Sequence, residues 1–338
     1  MSKSTDFAQC LHKFFNDYLS KNRNVSPNTL SSYSYSFSLF LKYMKEKKCI
    51  PPHKLCLSEL NAQNVQGFLN WLEEERKNGI TTRNQRLGAI HSFCRYLEID
   101  YPQYLANIQD ILSIRLKKAP KTMINYLSHD GVKLLLEQPN RKNKHERRDL
   151  MILTMLYDVG MRASEITEIK IGDLFLQSPA SIRVHGKGDK YRQVPLMPQV
   201  AALLKEYLGS RQSLNLNRAF EYLFINPSGE KLTRGGITYI LQKYAKKARS
   251  INSKLIPEKL TPHCLRHSKA MHLLQSGVNL VYIRDFLGHA DVKTTEIYAK
   301  SDPEMMRNAL EKAYTAIAPK FDTDWNNDDD LMEWLKSF

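Results

Sequence analysis

Apolar residues recur at three- and four-residue spacing through the first third of the chain, which is the periodicity of an amphipathic helix. Phe7, Leu11, Phe14, Phe15, Tyr18 and Leu19 form the first such stripe. Ser26-Pro27 reads as a helix start, because proline suits the first helical turn. The next stretch, Tyr33-Ser-Tyr35-Ser-Phe37-Ser-Leu39, alternates like a strand. Leu30, Tyr33, Phe37, Phe40, Leu41 and Met44 fit a helical face equally well, and the Ser-Pro start and the length favour the helix. Further helices are expected near 62–77, after Asn61, and near 82–97, the second displaying Arg83, Arg86 and Arg95. No β-rich segment interrupts them.

From about residue 125 the pattern is mixed. Helices are expected near 129–137 and 143–159, followed by one after Arg162. Three short strands near 173–177, 181–185 and 191–195 then surround the turn Gly186-Lys187-Gly188-Asp189, a hairpin signal. Helices dominate again from 198. Between the two patterns, Ile114-Arg115-Leu-Lys117-Lys118-Ala-Pro120-Lys121-Thr122 is polar, basic and broken by proline, and reads as a linker. The expected organisation is a helical domain over 1–110, a linker over 111–125, a second domain over 126–316 and a tail over 317–338. The fold class is mainly α, with one small three-stranded antiparallel sheet in the second domain.

A length of 338 residues suits two domains, each able to bury a core. The formal net charge of +15 favours a polyanionic partner over a neutral or acidic one. That charge is unevenly placed: residues 321–338 hold six acids against Lys336, a net of −5, which leaves +20 on the rest. In the tail, Asp328 to Asp330 suit a helix N-terminus, and Leu331, Trp334, Leu335 and Phe338 would share one face. Five cysteines, Cys10, Cys49, Cys56, Cys94 and Cys264, are odd in number and form no C-x-x-C pair, which argues against a disulfide framework and a zinc site. No stretch reads as a membrane span or a signal peptide, so the expected location is cytoplasmic.

The candidate chemistry lies in Thr261-Pro-His-Cys-Leu-Arg-His267, Leu287-Gly-His289 and Thr295-Glu-Ile-Tyr298. Attack on a phosphodiester spreads negative charge over the non-bridging oxygens, so fixed cationic donors are needed around them. Arginine suits this role, because its planar fork holds two oxygens and stays charged; Arg162 and Arg266 are the candidates. Thr261 reads as an N-cap with Pro262 at the first helical position, so His263 and Arg266 share a face one turn in. A helix over 279–287 ends at Gly288, a left-handed C-cap, which places His289 beyond the turn. Tyr298 falls late in a helix over 292–299 and offers a hydroxyl. Each residue also has a plain reading: Tyr298 as one of 17 tyrosines packing a helix, His263 as a cap, Lys187 as a hairpin-tip charge. It is the ordered set that carries the chemistry.

On these residues the chain resembles the tyrosine recombinases of the phage-integrase family, over most of its length. The family's first box resembles Asp158-Val-Gly-Met-Arg162-Ala-Ser-Glu165-Ile, and its hairpin box resembles Val184-His-Gly-Lys187-Gly-Asp-Lys190-Tyr-Arg192-Gln-Val-Pro195-Leu. Its second box resembles His263-Cys-Leu-Arg266-His267, with Leu287-Gly-His289 and Tyr298 completing the set. The resemblance implies that Tyr298 attacks the scissile phosphate to give a 3′-phosphotyrosyl link and a free 5′-hydroxyl. Arg162 and Arg266 would hold the non-bridging oxygens, with His289 as a further donor. Lys187 would protonate the departing 5′-oxygen, and His263 would assist proton transfer at the nucleophile. Glu165 would orient Arg162 or cap structure rather than react, and His267 would support the site or the core. No metal and no cofactor is implied.

The resemblance also implies that the first domain is the family's SAM-like core-binding domain and the second the catalytic domain. In the first, Arg83, Asn84, Gln85 and Arg86 are candidates for groove and phosphate contacts, with a solvated helix face as the plain alternative. Arg115, Lys117, Lys118 and Lys121 of the linker would add sequence-independent contacts. The implied partners are double-stranded DNA with specific core sites and further copies of the chain, a dimer on each site and a tetramer in synapsis, associated with the nucleoid. The implied activity is site-specific recombination through a Holliday junction, integrating, excising or transposing a mobile element. The alternatives are Xer-type chromosome resolution, nicking and resealing as by a type IB topoisomerase, and an inactive DNA-binding accessory protein. The tail would dock on a neighbouring protomer or, equally, on its own domain.

Overall fold

The computed structural model describes residues 5–120, 125–186, 189–210, 218–289, 291, 293–299, 332–333 and 335–336. Lys121, Lys187 and most of the tail, including Leu331, Trp334 and Phe338, lie outside the described residues. The chain divides into two compact units, Met1–Thr122 and Met123–Phe338.

The described part of the first unit consists of helices and the turns and coil between them, with no strand among the described residues. It contains α1 (Asp6–Lys13), continued by a π-helical stretch over Phe14–Asn22, then α2 (Pro27–Lys48), α3 (Ala62–Glu74), α4 (Ile80–Asp100) and α5 (Leu105–Ser113). Side-chain caps start several of these helices: Thr5 accepts from Ala8 N–H, Ser26 from Thr29 N–H and Asn61 from Asn64 N–H. The ambiguous alternation at 33–39 is helical. Phe37 and Phe40 of the 3.6-residue stripe are buried, whereas Tyr35, which belongs to the alternation alone, is 51% exposed. Phe7, Phe14, Phe37, Phe40, Phe68 and Phe93 fill the centre largely through edge-on ring contacts. Helix α5 and the first two residues of α4 were not expected from the pattern, and Ile111–Ser113, read as linker, are helical. Beyond them, Asn84 donates to Lys117 O at 2.7 Å and accepts from Lys117 N–H at 3.1 Å, so the chain as far as Lys117 packs on the first unit.

The second unit is built around α7 (Lys144–Tyr157), whose residues Leu150–Leu156 are all buried. Packed with it are α6 (His129–Leu136), α8 (Ala163–Glu168), α9 (Pro198–Ser210), α10 (Arg234–Ile251) and α11 (Pro262–Gln275). Asp149, 3% exposed, joins α7 to α10: it accepts from Arg148 at 2.8 Å and from the Tyr244 hydroxyl at 2.9 Å. A buried carboxylate satisfied in this way costs far less than an unpaired one. The three strands β1 (Leu174–Phe175), β2 (Ser181–His185) and β3 (Tyr191–Pro195) form an antiparallel sheet in sequence order. Strand β1 has two residues rather than the expected five: Asp173 belongs to the 3₁₀ turn before it, and pairing with β2 covers only Leu174 and Phe175. Helices α12 (Leu280–Leu287) and α13 (Lys293–Ala299) pack on α11 around a small separate core of Met271, Leu274, Ile283, Leu287 and Tyr298.

Candidate active site

The centre of the site is Glu165, in the first turn of α8 and 5% exposed. Its carboxylate accepts from Arg162 N–H at 2.9 Å and from the Arg162 guanidinium at 2.6 Å. Arg192 grips the same carboxylate bidentately, at 3.0 and 2.8 Å, and Arg266 lies 4.0 Å away. Burial alone would raise the pKa of Glu165; the hydrogen bonds and charge of Arg192, then of Arg162, outweigh it and hold the carboxyl below its usual range. Three guanidinium charges against one carboxylate leave a net +2 at this point, a seat for an anion.

The same three arginines converge on the end of α12. Arg192 donates to Phe286 O at 3.0 Å, Arg266 to Leu287 O, and Arg162 to Gly288 O at 3.3 Å. Three successive carbonyls at a helix C-terminus are the negative end of its dipole and have no partner inside the helix, so cations suit them. The turn depends on glycine. Gly288 has φ +65°, and a Cβ there would meet the Arg192 side chain at 3.0 Å. Gly160, φ +62°, packs equally tightly on Leu287 and Phe286, and its carbonyl accepts from Arg266 at 2.6 Å. Arg266, 2% exposed, thus has both terminal nitrogens on main-chain carbonyls. Burial and then the Arg162 charge pull its pKa down to about 9, so it remains charged at neutral pH. Arg162 is the more open of the two, with its side chain 26% exposed.

Tyr298 is buried in α13, and its hydroxyl lies 2.8 Å from Nδ1 of His267. Burial raises the phenol's pKa against the lowering effect of Arg266 and Arg162, so the hydroxyl is neutral at pH 7. His267 is also neutral: burial, then the charges of His263 and Arg266, pull its pKa to about 4. With the ring proton on Nε2, the phenol donates to Nδ1, and that nitrogen is placed to take its proton. The His289 ring lies nearly parallel to the phenol, with ring centroids 6.4 Å apart and Nδ1 3.0 Å from the Thr295 hydroxyl. Its pKa is likewise about 4, lowered first by burial and then by Arg266 and Arg162. His263, expected at the nucleophile's proton, has its ring centroid 5.9 Å from that of His267, and it is His267 that contacts the Tyr298 hydroxyl. Its pKa is lowered by desolvation and by Arg266 and Arg162.

Arg162, Arg266, His289 and Tyr298 are therefore brought together around α12, and His263 lies one turn from His267 on α11. Lys187 lies outside the described residues; the strands flanking its loop pair Val184 with Arg192 and His185 with Tyr191. Two residues that organise the site, Arg192 and His267, were given no catalytic role from sequence. Arg192 lies two residues before the buried Val194 on β3 and so shares its inward face, and a charge there signals a buried partner. His267, four residues after His263, shares its helical face. Among the described residues, no group of three or more His, Cys, Asp or Glu is placed to share a metal ion.

The candidate DNA-contact residues of the first unit are arranged differently from the expected exposed row. Arg83 is 2% exposed and donates to Arg115 O at 3.3 Å and to Asn84 at 3.2 Å, which corrects the expectation that α4 displays it. The reason is periodic: Arg83 is in line with Leu87, Ile90, Cys94 and Leu97, the buried stripe of α4. Gln85 donates to the Ser32 hydroxyl at 2.9 Å, and Arg86 donates to Ser36 at 3.1 Å and lies over the Tyr35 ring. Arg115, Lys117 and Lys118 are exposed, although Lys117 pairs with Glu73 at 2.7 Å.

Three arginines and one carboxylate at a +2 seat, with histidines and a tyrosine beside it, form an arrangement suited to nucleophilic attack on a phosphodiester. The family comparisons agree with that class. The model of the phage integrase family matches residues 125–305, and that of the phage integrase N-terminal SAM-like domain matches 13–99. The chain is 36% identical, over its full length and that of the relative, to the integrase/recombinase y4rC of Sinorhizobium fredii. It is 32% identical to the tyrosine recombinase XerC of Pelotomaculum thermopropionicum, over 88% of this chain and 95% of the relative. The fold also matches that of the XerH site-specific recombinase bound to palindromic difH substrate in a post-cleavage complex. That match has a TM-score of 0.65 and 23% identity, over 92% of this chain and 90% of the other. The chain belongs to the phage integrase family of tyrosine recombinases. Among the described residues, no helix is long and apolar enough to cross a membrane.

Proposed function

We propose that this chain is a site-specific recombinase that cuts and rejoins duplex DNA through a covalent link at Tyr298, integrating, excising or transposing a mobile element. The observation that carries the reading is the Tyr298 hydroxyl on His267, beside the seat formed by Arg162, Arg266 and His289. In the cleavage step the Tyr298 oxygen bonds to phosphorus and the bond from phosphorus to the 5′-oxygen breaks. The phenolic proton passes to Nδ1 of His267, and Lys187 gives a proton to the departing 5′-oxygen. Arg162 and Arg266 hold the non-bridging oxygens, and His289 and His263 complete the donor set. Rejoining is the same step in reverse, with the 5′-hydroxyl of another strand as nucleophile. The phosphotyrosyl bond conserves the energy of the broken linkage, so no nucleotide cofactor is needed.

The +20 charge outside the tail supports duplex DNA as substrate. Arg86, Gln85, Arg115, Lys117, Lys118 and Lys121 are the proposed backbone and groove contacts of the first domain. Arg83 and Asn84 fix the surface from which they act. The domains proposed are 1–110, core-binding, and 126–316, catalytic, joined by 111–125, acting on the nucleoid in the cytoplasm. The chain would act as a dimer on each site and a tetramer in synapsis, with the tail over 317–338 linking protomers. Met332 and Leu335, 56% and 54% exposed on this chain, suit that docking. Deleting 321–338 should weaken the pairing of two sites and spare single-site binding; unchanged pairing would place the tail on its own domain.

The direct test is to trap the covalent intermediate. Wild type and Tyr298→Phe are incubated, without added metal, with nicked duplexes carrying candidate terminal sequences. A protease-sensitive adduct with wild type alone is expected. Tight binding with no adduct on any site would leave an accessory role, and plasmid relaxation without recombinant products would indicate a topoisomerase.

A further inference from the structure

Arg192 has no place in the reaction just described, yet its guanidinium makes the largest set of hydrogen bonds in the site. Its Nε donates to Phe286 O, and both terminal nitrogens donate to Glu165. The side chain is 10% exposed, and all three of its guanidinium nitrogens are engaged by protein oxygens. What Arg192 holds is in turn what holds the phosphate ligands. Glu165 carries the Arg162 guanidinium at 2.6 Å, and the residues after Phe286 supply the carbonyls that receive Arg266 and Arg162. His289 follows directly. Without Arg192, Glu165 would keep only one hydrogen-bonded guanidinium, and the α12 terminus would lose its tie to the sheet.

We propose that Arg192 is a positioning residue for strand cleavage: by fastening Glu165 to the end of α12 it sets the aim of Arg162 and the place of His289 at the scissile phosphate. This inference rests on the recombinase reading above and deepens it. Arginine is required here and not merely a positive charge. One planar fork spans the two carboxylate oxygens while a third N–H reaches a carbonyl, and a lysine ammonium cannot match that geometry. Misplacing a charge-stabilising group by about 1 Å can cost on the order of 100-fold in rate.

The test uses the full chain and single-turnover formation of the covalent adduct on a suicide duplex. The scissile group is either an ordinary phosphate or a methylphosphonate, in which a methyl group replaces one charged oxygen. Arg192→Gln should slow adduct formation about 100-fold on the phosphate, with DNA affinity within about threefold of wild type. On the methylphosphonate the deficit should shrink to below about tenfold, because a neutral group has less need of a well-aimed Arg162. Arg192→Lys should recover only part of the loss. Glu165→Gln should behave like Arg192→Gln, and the double variant should be no slower than the worse single one.

A deficit of equal size on both substrates, or single losses that multiply in the double variant, would overturn the proposal. So would a deficit relieved instead by a 5′-phosphorothiolate, whose sulfur leaves without a proton, since Arg192 would then act on the leaving-group side. If Arg192→Gln does not fold, Arg192→Lys, which keeps the charge, carries the same substrate comparison. Failure of wild type to form any adduct would instead strike the recombinase reading itself.

Discussion

The contact between His267 and Tyr298 can be tested by changing His267 to asparagine. Alanine would be ambiguous, since leaving the buried Tyr298 hydroxyl without a partner costs about 1–3 kcal/mol in its own right. Asparagine places an amide oxygen close to the position of Nδ1, so the hydrogen bond and the packing are largely kept while the ability to take a proton is lost. Loss of a positioned base is worth roughly 10²- to 10⁴-fold, or about 3–5 kcal/mol of transition-state stabilisation. The expected outcome is a fall of at least about 100-fold in single-turnover adduct formation, with unchanged DNA affinity.

The pH profile makes the test specific. With a pKa of about 4, His267 is already a competent base at pH 6, so His267 imposes no slope on the wild-type rate above that point. In His267→Asn the proton must go to solvent, and the phenol's pKa is raised, so the rate should climb about tenfold per pH unit through the neutral range. His263→Asn should leave the profile's shape unchanged. The reasoning is refuted if His267→Asn stays within threefold of wild type with a parallel profile, or if His263→Asn produces the steep slope instead.

Two further outcomes follow from burial and backbone geometry. His272, 4% exposed, contacts the Tyr157 hydroxyl at 2.8 Å and stacks on His129 near Lys269, and its pKa is pulled down to about 4. A folded-state pKa below the unfolded value of about 6.5 means that the unfolded chain takes up the proton first. Stability is therefore full above pH 6.5 and falls as the pH drops toward 4, by roughly 2–3 kcal/mol between pH 7.5 and 4.5 for this one group. Urea melts at the two pH values should show a smaller difference in His272→Gln than in wild type; an identical difference would remove His272 as the cause. Gly288→Ala combines a left-handed backbone with a Cβ 3.0 Å from Arg192, so it should cost about 1–2 kcal/mol in thermal melts and also slow adduct formation. A loss of stability with full cleavage activity would show that the turn does not place the arginines.

The elements and much of the site were legible because they rest on local signals. Thr261-Pro262, Ser26-Pro27 and Asn61 mark helix starts whose chemistry lies within four residues, and Gly288 marks an end in the same way. Arg162, Arg266, His289 and Tyr298 stood out because phosphodiester attack needs those groups. Their mutual arrangement was not legible. Arg266 reaches Gly160 O across 106 residues, and Arg192 reaches Glu165 across 27, and no spacing rule encodes such meetings. In Arg83 a usable local signal was outweighed by charge: its side chain reads as a DNA ligand by type but lies on the apolar stripe by position, and position prevailed. A long side chain can bury its stem and still bond main-chain oxygens, as it does at Arg115 O.

The end of α12 explains why the chemistry can be distributed over so many elements. Arg162 comes from the start of α8, Arg192 from β3 and Arg266 from α11, and each meets a different one of three adjacent carbonyls. Carbonyls that the helix itself cannot satisfy thereby become a common reference for three groups arriving from separate directions. Without an acid among them, the guanidiniums would repel one another and splay; Glu165 offsets part of that charge yet leaves +2 directed at the substrate. A second acid would halve the seat's charge to +1, and an arginine without its carbonyl would be free to turn toward solvent. The balance of one carboxylate, three guanidiniums and three helix-end carbonyls is thus what lets the same buried cluster be stable in the free protein and still attract a phosphodiester.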